Sequence, residues 1–373
     1  MPRLVALDLP GGAAFVAALQ RVWDDGDAVA PLDRRMPDAA RARVLEALAP
    51  AAVIDGTGEH QLVGGRPVEP GDALVVVTSG TTGAPKGVVL THEAVAASAR
   101  ATSTRIGVAA DDHWLACLPL AHIGGLSVIT RALTLGTPLT VLAAAEPAAI
   151  TAAAHDGATL VSLVATMLRR IDPALFRVIV LGGSRPPADR PANTVATYGM
   201  TETGSGVVYD GRPLEGVEVR IDAAGEIHLR GPMLLRCYRD GVNPLDSAGW
   251  FATGDLGSWQ DDGRLQVAGR RGDLIITGGE NVWPEAVEAV LRDHPAVDDV
   301  AIAGNPDDEW GQIVTAYVVP ADTSAPPVLD TLRNHVKQEL PAYCAPRRLV
   351  LVEAVPRTAL GKIRRGALDG LRR

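Results

Sequence analysis

The chain has 373 residues, 47% of them hydrophobic and 21% charged, which is enough for a large core spread over about two or three domains. No apolar stretch reaches the roughly 18 residues that a membrane-spanning helix needs. A net charge of −9 without a concentrated basic patch argues against a nucleic-acid partner. The N-terminus shows no signal-peptide pattern, and the isolated Cys117, Cys237 and Cys344 have no metal-binding or redox spacing. We therefore expect a cytoplasmic protein with reduced cysteines.

A strand that leads into a polar loop is the first informative element. The apolar run ALVVV at residues 73–77 predicts a buried strand, and TSGTTGAPKGV follows it at residues 78–88. Glycines let the backbone approach an anion, hydroxyl groups donate hydrogen bonds, and Lys86 adds a positive charge. The spacing is not that of a P-loop. A flexible surface loop could have this composition, but the preceding strand favours a phosphate-binding loop of another kind.

Strand-like and helix-like segments then alternate along the chain. Predicted strands cover residues 74–78, 114–118, 139–142, 159–163 and 178–181, and predicted helices cover residues 93–102 and 147–155. This alternation predicts an α/β fold in which helices cover the faces of a parallel sheet.

The pattern changes in the second half of the chain. From about residue 216 to residue 267, short strands and tight turns predict a smaller β-rich subdomain. Beyond it, a compact unit contains predicted helices at residues 284–293 and 328–339 and predicted strands at residues 300–303, 314–319 and 349–352. Pro284 suits the first turn of its helix.

Several motifs in a fixed order resemble those of the adenylate-forming superfamily of acyl-CoA synthetases, adenylation domains and luciferases. They are the loop at 78–88, YGMTET at 198–203, TGD at 253–255, GRRGD at 269–273 with TGGEN at 277–281, and PRTALGK at 356–362. The resemblance implies a large N-terminal domain of layered α/β sheets over residues 1–269, which includes the β-rich subdomain at about 216–267. A hinge at 270–273 would lead to a small mobile α+β C-terminal domain over 274–373. The portion before the first motif is shorter than in typical members, which leaves the completeness of the N-terminal subdomain open.

The resemblance implies ATP-dependent activation of a carboxylate. Members form an acyl-adenylate, release pyrophosphate and pass the acyl group to a thiol, so the site must surround negative charge with cations and hydrogen-bond donors. The residues implied to bind ATP or AMP are Thr78, Ser79, Gly80, Thr81, Thr82, Gly83, Lys86, Gly183, Ser184, Tyr198, Gly199, Asp255 and Arg270. Tyr198 would stack on the adenine, and Asp255 would accept hydrogen bonds from the ribose.

Catalytic roles are implied for Thr201, Glu202, His122 and Lys362. Thr201 would contact the α-phosphate, and Glu202 would ligate Mg²⁺, a hard cation that prefers oxygen ligands. Lys362 would bridge the substrate carboxylate and the α-phosphate, and His122 would form a gate beside the acyl pocket. Without the motifs around them, Glu202 would be interpreted as a surface carboxylate and Lys362 as a solvated lysine. His122 would be a structural residue as often as a functional one.

Residues of the hinge and of the CoA step complete the implied set: Gly272, Gly278, Gly279 and Glu280. Family members often carry Asp or Lys where this chain has Gly272, and glycine still permits large backbone rotations. The implied cofactors and co-substrates are ATP, Mg²⁺ and CoA. The implied partner is a small carboxylic acid, with no nucleic acid and no integral membrane association, and a homodimer is left open.

Arg131 bears on the identity of the acid. It lies nine residues after His122 in an apolar stretch, where a charge is costly unless it is paired. One interpretation places it on the solvent face of an amphipathic helix. The other rests on resemblance to o-succinylbenzoate–CoA ligases of menaquinone biosynthesis, in which a basic residue at this offset binds a substrate carboxylate. On that resemblance the substrate-binding residues are His122, Arg131 and Gly182, with Ser127, Ser162 and Thr166 as candidate donors.

The resulting hypothesis is an AMP-forming acid–thiol ligase that converts o-succinylbenzoate to its CoA thioester. Three alternatives stay open at this point. The chain could be a ligase for a medium-chain or benzoate-like acid, an adenylating enzyme that loads a carrier protein, or a non-catalytic adenylate-binding protein. Intact Lys362, Glu202 and Asp255 argue against the last of these.

Overall fold

A computed structural model describes residues 1–79, 85–183, 186–187, 189–358 and 361–371 of the chain. The chain divides into two compact units. Unit 1 comprises Met1–Arg220, His228–Ala252 and Asp262–Arg264, and unit 2 comprises Ile221–Ile227, Thr253–Asp261 and Leu265–Arg373. The hinge at 270–273 and the domain boundaries beside it stay predictions.

The described helices are α1 (Ala13–Asp24), α2 (Asp38–Leu48), α3 (His92–Ile106), α4 (Ile123–Leu135), α5 (Pro147–His155), α6 (Ala165–Leu168), α7 (Pro284–Arg292) and α8 (Leu329–Glu339). None of these described helices has both the length and the apolar character to cross a membrane. Local sequence explains several helix ends. The Thr91 side chain accepts a hydrogen bond of 3.1 Å from the Ala94 backbone N–H at the start of α3, and Gly107 and Gly136 end α3 and α4 in the left-handed conformation.

The described strands are β1 (Leu4–Leu7), β2 (Ala28–Pro31), β3 (Ala52–Asp55), β4 (Gly58–Gln61), β5 (Asp72–Ser79), β6 (Pro85–Thr91), β7 (Trp114–Ala116), β8 (Leu139–Val141), β9 (Leu160–Val164), β10 (Val178–Gly182), β11 (Thr194–Met200), β12 (Ser205–Tyr209), β13 (Arg212–Pro213), β14 (Glu218–Ile221), β15 (Glu226–Arg230), β16 (Cys237–Tyr238), β17 (Phe251–Trp259), β18 (Leu265–Arg270), β19 (Ile275–Thr277), β20 (Glu280–Val282), β21 (Val297–Asp307), β22 (Gly311–Pro320) and β23 (Arg348–Leu351).

Two mixed sheets form the framework of unit 1. The first has the order β16-β6-β5-β2-β1-β3-β4, with a parallel centre from β5 to β3 and antiparallel pairs at both ends. The second has the order β13-β12-β11-β10-β9-β7-β8, parallel from β8 to β11 and antiparallel beyond β11. Buried aliphatic side chains pack on each sheet and form separate clusters. The first sheet thus presents the β5–β6 hairpin, and the second presents the β11–β12 hairpin.

Two smaller sheets complete the fold. One is four-stranded, with the order β14-β15-β17-β18, and it corresponds to the predicted β-rich region. The other lies in unit 2, has the order β20-β19-β22-β21 with β23 beside β22, and packs on α7 and α8 around its own apolar core. The long β21–β22 ladder pairs Val297 with Pro320 and Asp307 with Gly311.

The predicted α/β fold is confirmed, and each helix and strand predicted in residues 93–181 and 284–352 coincides with a described element, although β21 is much longer than predicted. Helices α4 and α6 were not predicted. One detail of the prediction was wrong. Residues 74–78 do not join the parallel sheet of β7 to β10, because their parallel neighbour is β2, a four-residue strand that was not predicted. A second difference is that residues 78–79 and 85–88 of the predicted loop motif belong to strands β5 and β6.

Candidate active site

The described parts of the predicted phosphate-binding motif lie on β5 and β6. Thr78 pairs with Lys86, and the backbone of Ser79 pairs with Pro85. The Ser79 side chain and the predicted phosphate-binding residues Gly80, Thr81, Thr82 and Gly83 lie outside the described part of the chain, so their roles stay predictions. Lys86 is exposed, and its Nζ lies 5.2 Å from the ring centroid of Tyr238.

The β11–β12 hairpin carries the YGMTET motif. Tyr198, Thr201 and Glu202 are all half-buried, and Thr201 and Glu202 lie in a single 3₁₀ turn between the two strands. The buried Thr203 hydroxyl fixes this turn: it accepts a hydrogen bond of 2.9 Å from the Met200 backbone N–H. This hydrogen bond helps to hold Glu202 just after the end of β11.

Glu202 is fixed by a segment that was not predicted to belong to the site. The Leu235 backbone N–H donates to the Glu202 carbonyl at 2.8 Å, and the Tyr238 hydroxyl donates to Glu202 Oε1 at 3.1 Å. Tyr238 was missed because an isolated tyrosine is more often a core residue and the two residues are 36 positions apart.

Among the predicted residues Gly182, Gly183 and Ser184, Gly182 ends β10, Gly183 follows it, and Ser184 lies outside the described residues. Gly183 has φ +87°, a conformation that favours glycine. A Cβ on Gly182 would lie 3.0 Å from Thr197 Oγ1. Gly199 has a clear packing role, since a Cβ there would come within 2.2 Å of the Ser205 carbonyl oxygen on β12.

His122 caps α4 and sits beside the N-terminal part of unit 1. Its backbone is extended, and Gly125 allows the first turn of the helix to approach the Leu118 carbonyl, where a Cβ would come within 2.4 Å. His122 Nε2 lies 3.8 Å from Asp33 Oδ2. The pKa of Asp33 is lowered, chiefly by the hydrogen bond from the Arg35 side chain, with a smaller contribution from His122. Asp33 gave no sequence signal because it belongs to no motif.

Arg131 is almost completely buried, with 1% of its surface exposed, so it does not lie on the solvent face of α4. Its Nη2 donates to Ser205 Oγ, and Ser205 Oγ donates to Ser127 Oγ at 3.3 Å. Its guanidinium carbon lies 5.6 Å from the centroid of the Trp114 ring. Burial lowers the pKa of Arg131, although an arginine stays charged at neutral pH.

Apart from Nη2, the guanidinium nitrogens of Arg131 have no hydrogen-bond partner among the described residues. Within the described ranges, Arg131 Nε and Nη1 are buried and take part in no hydrogen bond, and Arg131 forms no ion pair with a described carboxylate. Ser162 Oγ is also buried without a partner among the described residues, whereas Thr166 is exposed. A buried cation that is satisfied only by hydroxyl groups can accept an anion from outside the protein.

An open groove of about 860 Å³ runs along α3, bordered by Glu215, Gly216 and Pro232. The described residues that line it include none of those predicted from the sequence. The groove therefore adds nothing to the site that contains Arg131 and Glu202.

Unit 2 carries the remaining predicted residues. Asp255 and Arg270 are opposite each other on β17 and β18, and Arg270 Nε lies 2.9 Å from Asp255 Oδ1. Arg270 Nη1 also donates to the Thr253 carbonyl at 2.8 Å. The predicted ribose acceptor and its neighbouring cation are thus brought together, with the Asp255 side chain 9% exposed.

The hinge and CoA residues take different conformations. Gly272 lies in a 3₁₀ turn without a positive φ, so this conformation does not itself require glycine there. Gly278 and Gly279 form the left-handed turn between β19 and β20, and a Cβ on Gly278 would lie 2.8 Å from the Trp310 ring. Glu280 is exposed at the start of β20.

Lys362 is exposed on a short loop near the end of unit 2. The Thr358 backbone N–H donates to the Lys362 carbonyl at 2.7 Å, and the Lys362 N–H donates to Thr358 Oγ1 at 3.1 Å. Arg357 anchors one side of the loop on Asp299, with Nη2 2.6 Å from Oδ1. Arg365 anchors the other side, where Glu285, Glu288 and Asp273 surround its guanidinium.

Two family profiles match the chain. Residues 59–239 match the profile described as AMP-binding enzyme, and residues 286–362 match that described as AMP-binding enzyme C-terminal domain. The chain is also similar to a probable 2-succinylbenzoate–CoA ligase of Mycobacterium tuberculosis. The two are 42% identical over 358 residues, which cover 88% of this chain and 93% of that protein.

Among solved structures, the chain is likewise similar to proteins that act on o-succinylbenzoate. The chain is similar to o-succinylbenzoate CoA synthetase (MenE) from Bacillus subtilis in complex with the acyl-adenylate intermediate OSB-AMP. The TM-score is 0.88 with 28% identity, and the match covers 98% of this chain and 88% of that one. A structure of the same Bacillus subtilis protein with ATP and a magnesium ion matches with a TM-score of 0.86 and 28% identity over 98% of this chain and 89% of that one.

Proposed function

This chain belongs to the AMP-binding enzyme family, and from that membership we propose that it is an ATP-dependent o-succinylbenzoate–CoA ligase of menaquinone biosynthesis. A carboxylate oxygen of the acid attacks the α-phosphorus of ATP, and pyrophosphate leaves. The CoA sulfur then attacks the acyl carbon of the adenylate, and AMP leaves. The similar proteins named above, which carry this activity in their names or bind OSB-AMP, ATP and magnesium, support the proposal.

The observation that carries the substrate assignment is the environment of Arg131. The acid is a dicarboxylate, and only its aliphatic carboxyl group is activated. The aromatic carboxylate therefore needs a fixed partner away from the reacting atoms. Arg131 offers two buried nitrogen atoms, Nε and Nη1, that no described residue uses, with Ser205 and Ser127 beside it. A planar guanidinium suits a carboxylate, and burial strengthens the interaction because water does not compete.

In unit 1, the nucleotide would be held by Lys86, Thr201 and Glu202. Lys86 supplies a positive charge at the base of the polar loop, and the hydroxyl of Thr201 supplies a donor next to Glu202. The half-buried Glu202 carboxylate is an oxygen ligand of the type that Mg²⁺ prefers, so the residues present fit that ion. When bound, Mg²⁺ reduces the electrostatic cost of gathering the triphosphate charge.

In unit 2, Asp255 and Arg270 would bind the ribose and neighbouring oxygens. The ion pair with Arg270 fixes the orientation of the Asp255 carboxylate. In that orientation the carboxylate would accept hydrogen bonds from the ribose hydroxyl groups. Lys362 would stabilise charge on the reacting carboxylate and α-phosphate. Arg357 and Arg365, on either side of Lys362, are held by Asp299 and Glu288.

A matched pair of acids tests the proposal. The enzyme is supplied with ATP, Mg²⁺ and CoA, and thioester formation is measured with o-succinylbenzoate and with 4-oxo-4-phenylbutanoate, which lacks only the aromatic carboxylate. We expect kcat/KM to fall by about a hundredfold or more for the second acid, because Arg131 would then be buried without an anion. Equal kcat/KM values for the two acids would contradict the substrate assignment.

The same assay separates the alternatives. Benzoate, octanoate and malonate are included in the panel, and a preference for one of them would retain the ligase chemistry and discard o-succinylbenzoate. Adenylate formation without transfer to CoA would instead favour an acceptor thiol on a carrier protein. Absence of ATP–pyrophosphate exchange with every acid would contradict the enzyme assignment itself.

A further inference from the structure

Tyr238 contacts two residues that have been assigned to the nucleotide site. Its hydroxyl donates to Glu202 Oε1 at 3.1 Å, and the Nζ of Lys86 lies 5.2 Å from the centroid of its ring. Lys86 belongs to the first sheet of unit 1 and Glu202 to the hairpin of the second sheet. Tyr238 is therefore a single side chain that touches the cation of one motif and the carboxylate of another.

The backbone around Tyr238 is strongly fixed. Tyr238 pairs with Val88 in the β16–β6 ladder, only two residues from Lys86. Two residues before Tyr238, Arg236 makes a bidentate pair with the fully buried Asp72 side chain, with both N–O distances 2.8 Å. Arginine–carboxylate pairs of this geometry are specific in direction as well as strong. The tyrosine hydroxyl is consequently presented to Glu202 from a rigid support.

The hydrogen bond also distinguishes the two oxygens of Glu202. Oε1 accepts a hydrogen bond from the tyrosine hydroxyl, whereas Oε2 receives no hydrogen bond from any described residue. A carboxylate that ligates a metal through one oxygen is commonly held through the other by a hydrogen-bond donor, which fixes its orientation. The Tyr238–Glu202 pair has this arrangement.

We propose that Tyr238 is a positioning residue that orients Glu202 for Mg²⁺ while its ring supports the Lys86 ammonium group. This inference rests on the proposed function, because it takes Glu202 as the ligand of the ion that accompanies ATP. The hydroxyl and the ring have separate roles. The hydroxyl restricts the rotamer of Glu202, and the ring contributes a cation–π contact to Lys86.

The test uses Tyr238→Phe, which keeps the ring and removes only the hydroxyl group. ATP binding to the full chain is measured by titration calorimetry, without an acid substrate, first in EDTA and then with excess MgCl2. The ratio of the two Kd values reports how far the metal tightens ATP binding. We expect this ratio to fall about tenfold in Tyr238→Phe, and the Kd in EDTA to stay at the wild-type value because the ring still faces Lys86.

Two control variants make the outcome decisive. Tyr343→Phe removes a hydroxyl from a tyrosine that is 39% exposed in unit 2 and should leave the ratio unchanged. Glu202→Gln should reduce the ratio at least as much as Tyr238→Phe. If Tyr238→Phe lowers Tm but keeps the wild-type ratio while Glu202→Gln reduces it, Tyr238 is only structural and the inference is overturned. If Glu202→Gln itself keeps the wild-type ratio, the metal assignment within the proposed function is wrong, and the inference is overturned together with it.

Discussion

Arg131 and Arg236 of unit 1 differ in whether a carboxylate of the protein balances their charge. Arg236 pairs with Asp72, whose side chain is fully buried, and this internal pair satisfies both groups. Arg131 is more deeply buried than Arg236, yet its described partners are the Ser205 hydroxyl and the Trp114 ring. A charge buried in this way lowers stability, and such a cost is typical of binding sites.

Replacement of Arg131 should therefore lower activity without lowering stability. We expect Arg131→Met to leave Tm unchanged or to raise the unfolding free energy by about 1 kcal/mol or more, because it removes an uncompensated charge from the interior. The same change should lower kcat/KM for o-succinylbenzoate about a hundredfold and abolish the preference over 4-oxo-4-phenylbutanoate. Thermal unfolding and the thioester assay measure the two effects.

Thr130→Val is the matched control for this prediction. Thr130 is the neighbouring buried residue on α4, and its hydroxyl donates to the Ser127 carbonyl rather than to Arg131. It should keep the preference between the two acids. A large loss of Tm in Arg131→Met, together with an unchanged preference, would show that Arg131 is a structural residue.

At this scale the sequence predicted individual residues better than their partners. Arg131 could be singled out because a charge in an apolar run is costly wherever the chain folds. Ser205, which binds it, lies 74 positions away, and no local pattern links the two. Asp33 beside His122 and Tyr238 beside Glu202 were missed for the same reason: tertiary structure alone brings them together.

The Lys362 loop illustrates how an element is fixed by charge. Arg365 is 13% exposed, and its Nη2 lies 2.7 Å from Glu285 Oε1. Its Nη1 binds Glu288 Oε1 on α7, and its Nε lies 3.3 Å from Asp273 Oδ2 in the proposed hinge. Burial, together with the nearby Glu285, raises the pKa of Asp273, although Arg365 opposes that shift.

Removal of Arg365 should destabilise unit 2 in a pH-dependent way. Arg365→Met leaves Asp273, Glu285 and Glu288 facing one another without this cation, so we expect a loss of about 3–5 kcal/mol at neutral pH. Carboxyl groups with a raised folded-state pKa lose stability as the pH rises and regain it as the pH falls. The deficit measured by thermal unfolding should accordingly shrink toward about pH 5.

Arg364→Met provides the control, because Arg364 is exposed and its only described hydrogen bonds are made by its backbone. It should match the wild type in Tm at both pH values. If the deficit of Arg365→Met is the same at both pH values, the carboxylates are not the cause of the instability.

Elements with strong local signals were predicted well, whereas strands β1 and β2 were not. Helix α5 begins at Pro147 and helix α7 at Pro284, where proline fixes the backbone of the first turn, and both predicted starts are confirmed. Strands β1 and β2 have four residues each, too few to show a period, and were not predicted. They nevertheless decide the neighbours of β5, because register and pairing depend on the whole sheet.

For the molecule as a whole, the three cysteines lie in three separate apolar cores. Cys237 belongs to the apolar cluster of the first sheet, Cys117 to that of the second sheet, and Cys344 to that of unit 2. All three thiols are free and buried. Burial raises the pKa of each, and that of Cys117 to about 12.

These thiols should become reactive only when their own core opens. At about pH 8.5 an unfolded thiol is roughly half ionised, whereas the native Cys117 stays protonated and inaccessible to iodoacetamide. With increasing guanidinium chloride, we expect the labelling midpoints of Cys117 and Cys237 to coincide, because both lie in unit 1, and that of Cys344 to differ. Mass spectrometry of the labelled peptides measures each midpoint. A single midpoint for all three cysteines would show instead that the two compact units unfold as one cooperative structure, because separate cores alone do not guarantee separate transitions.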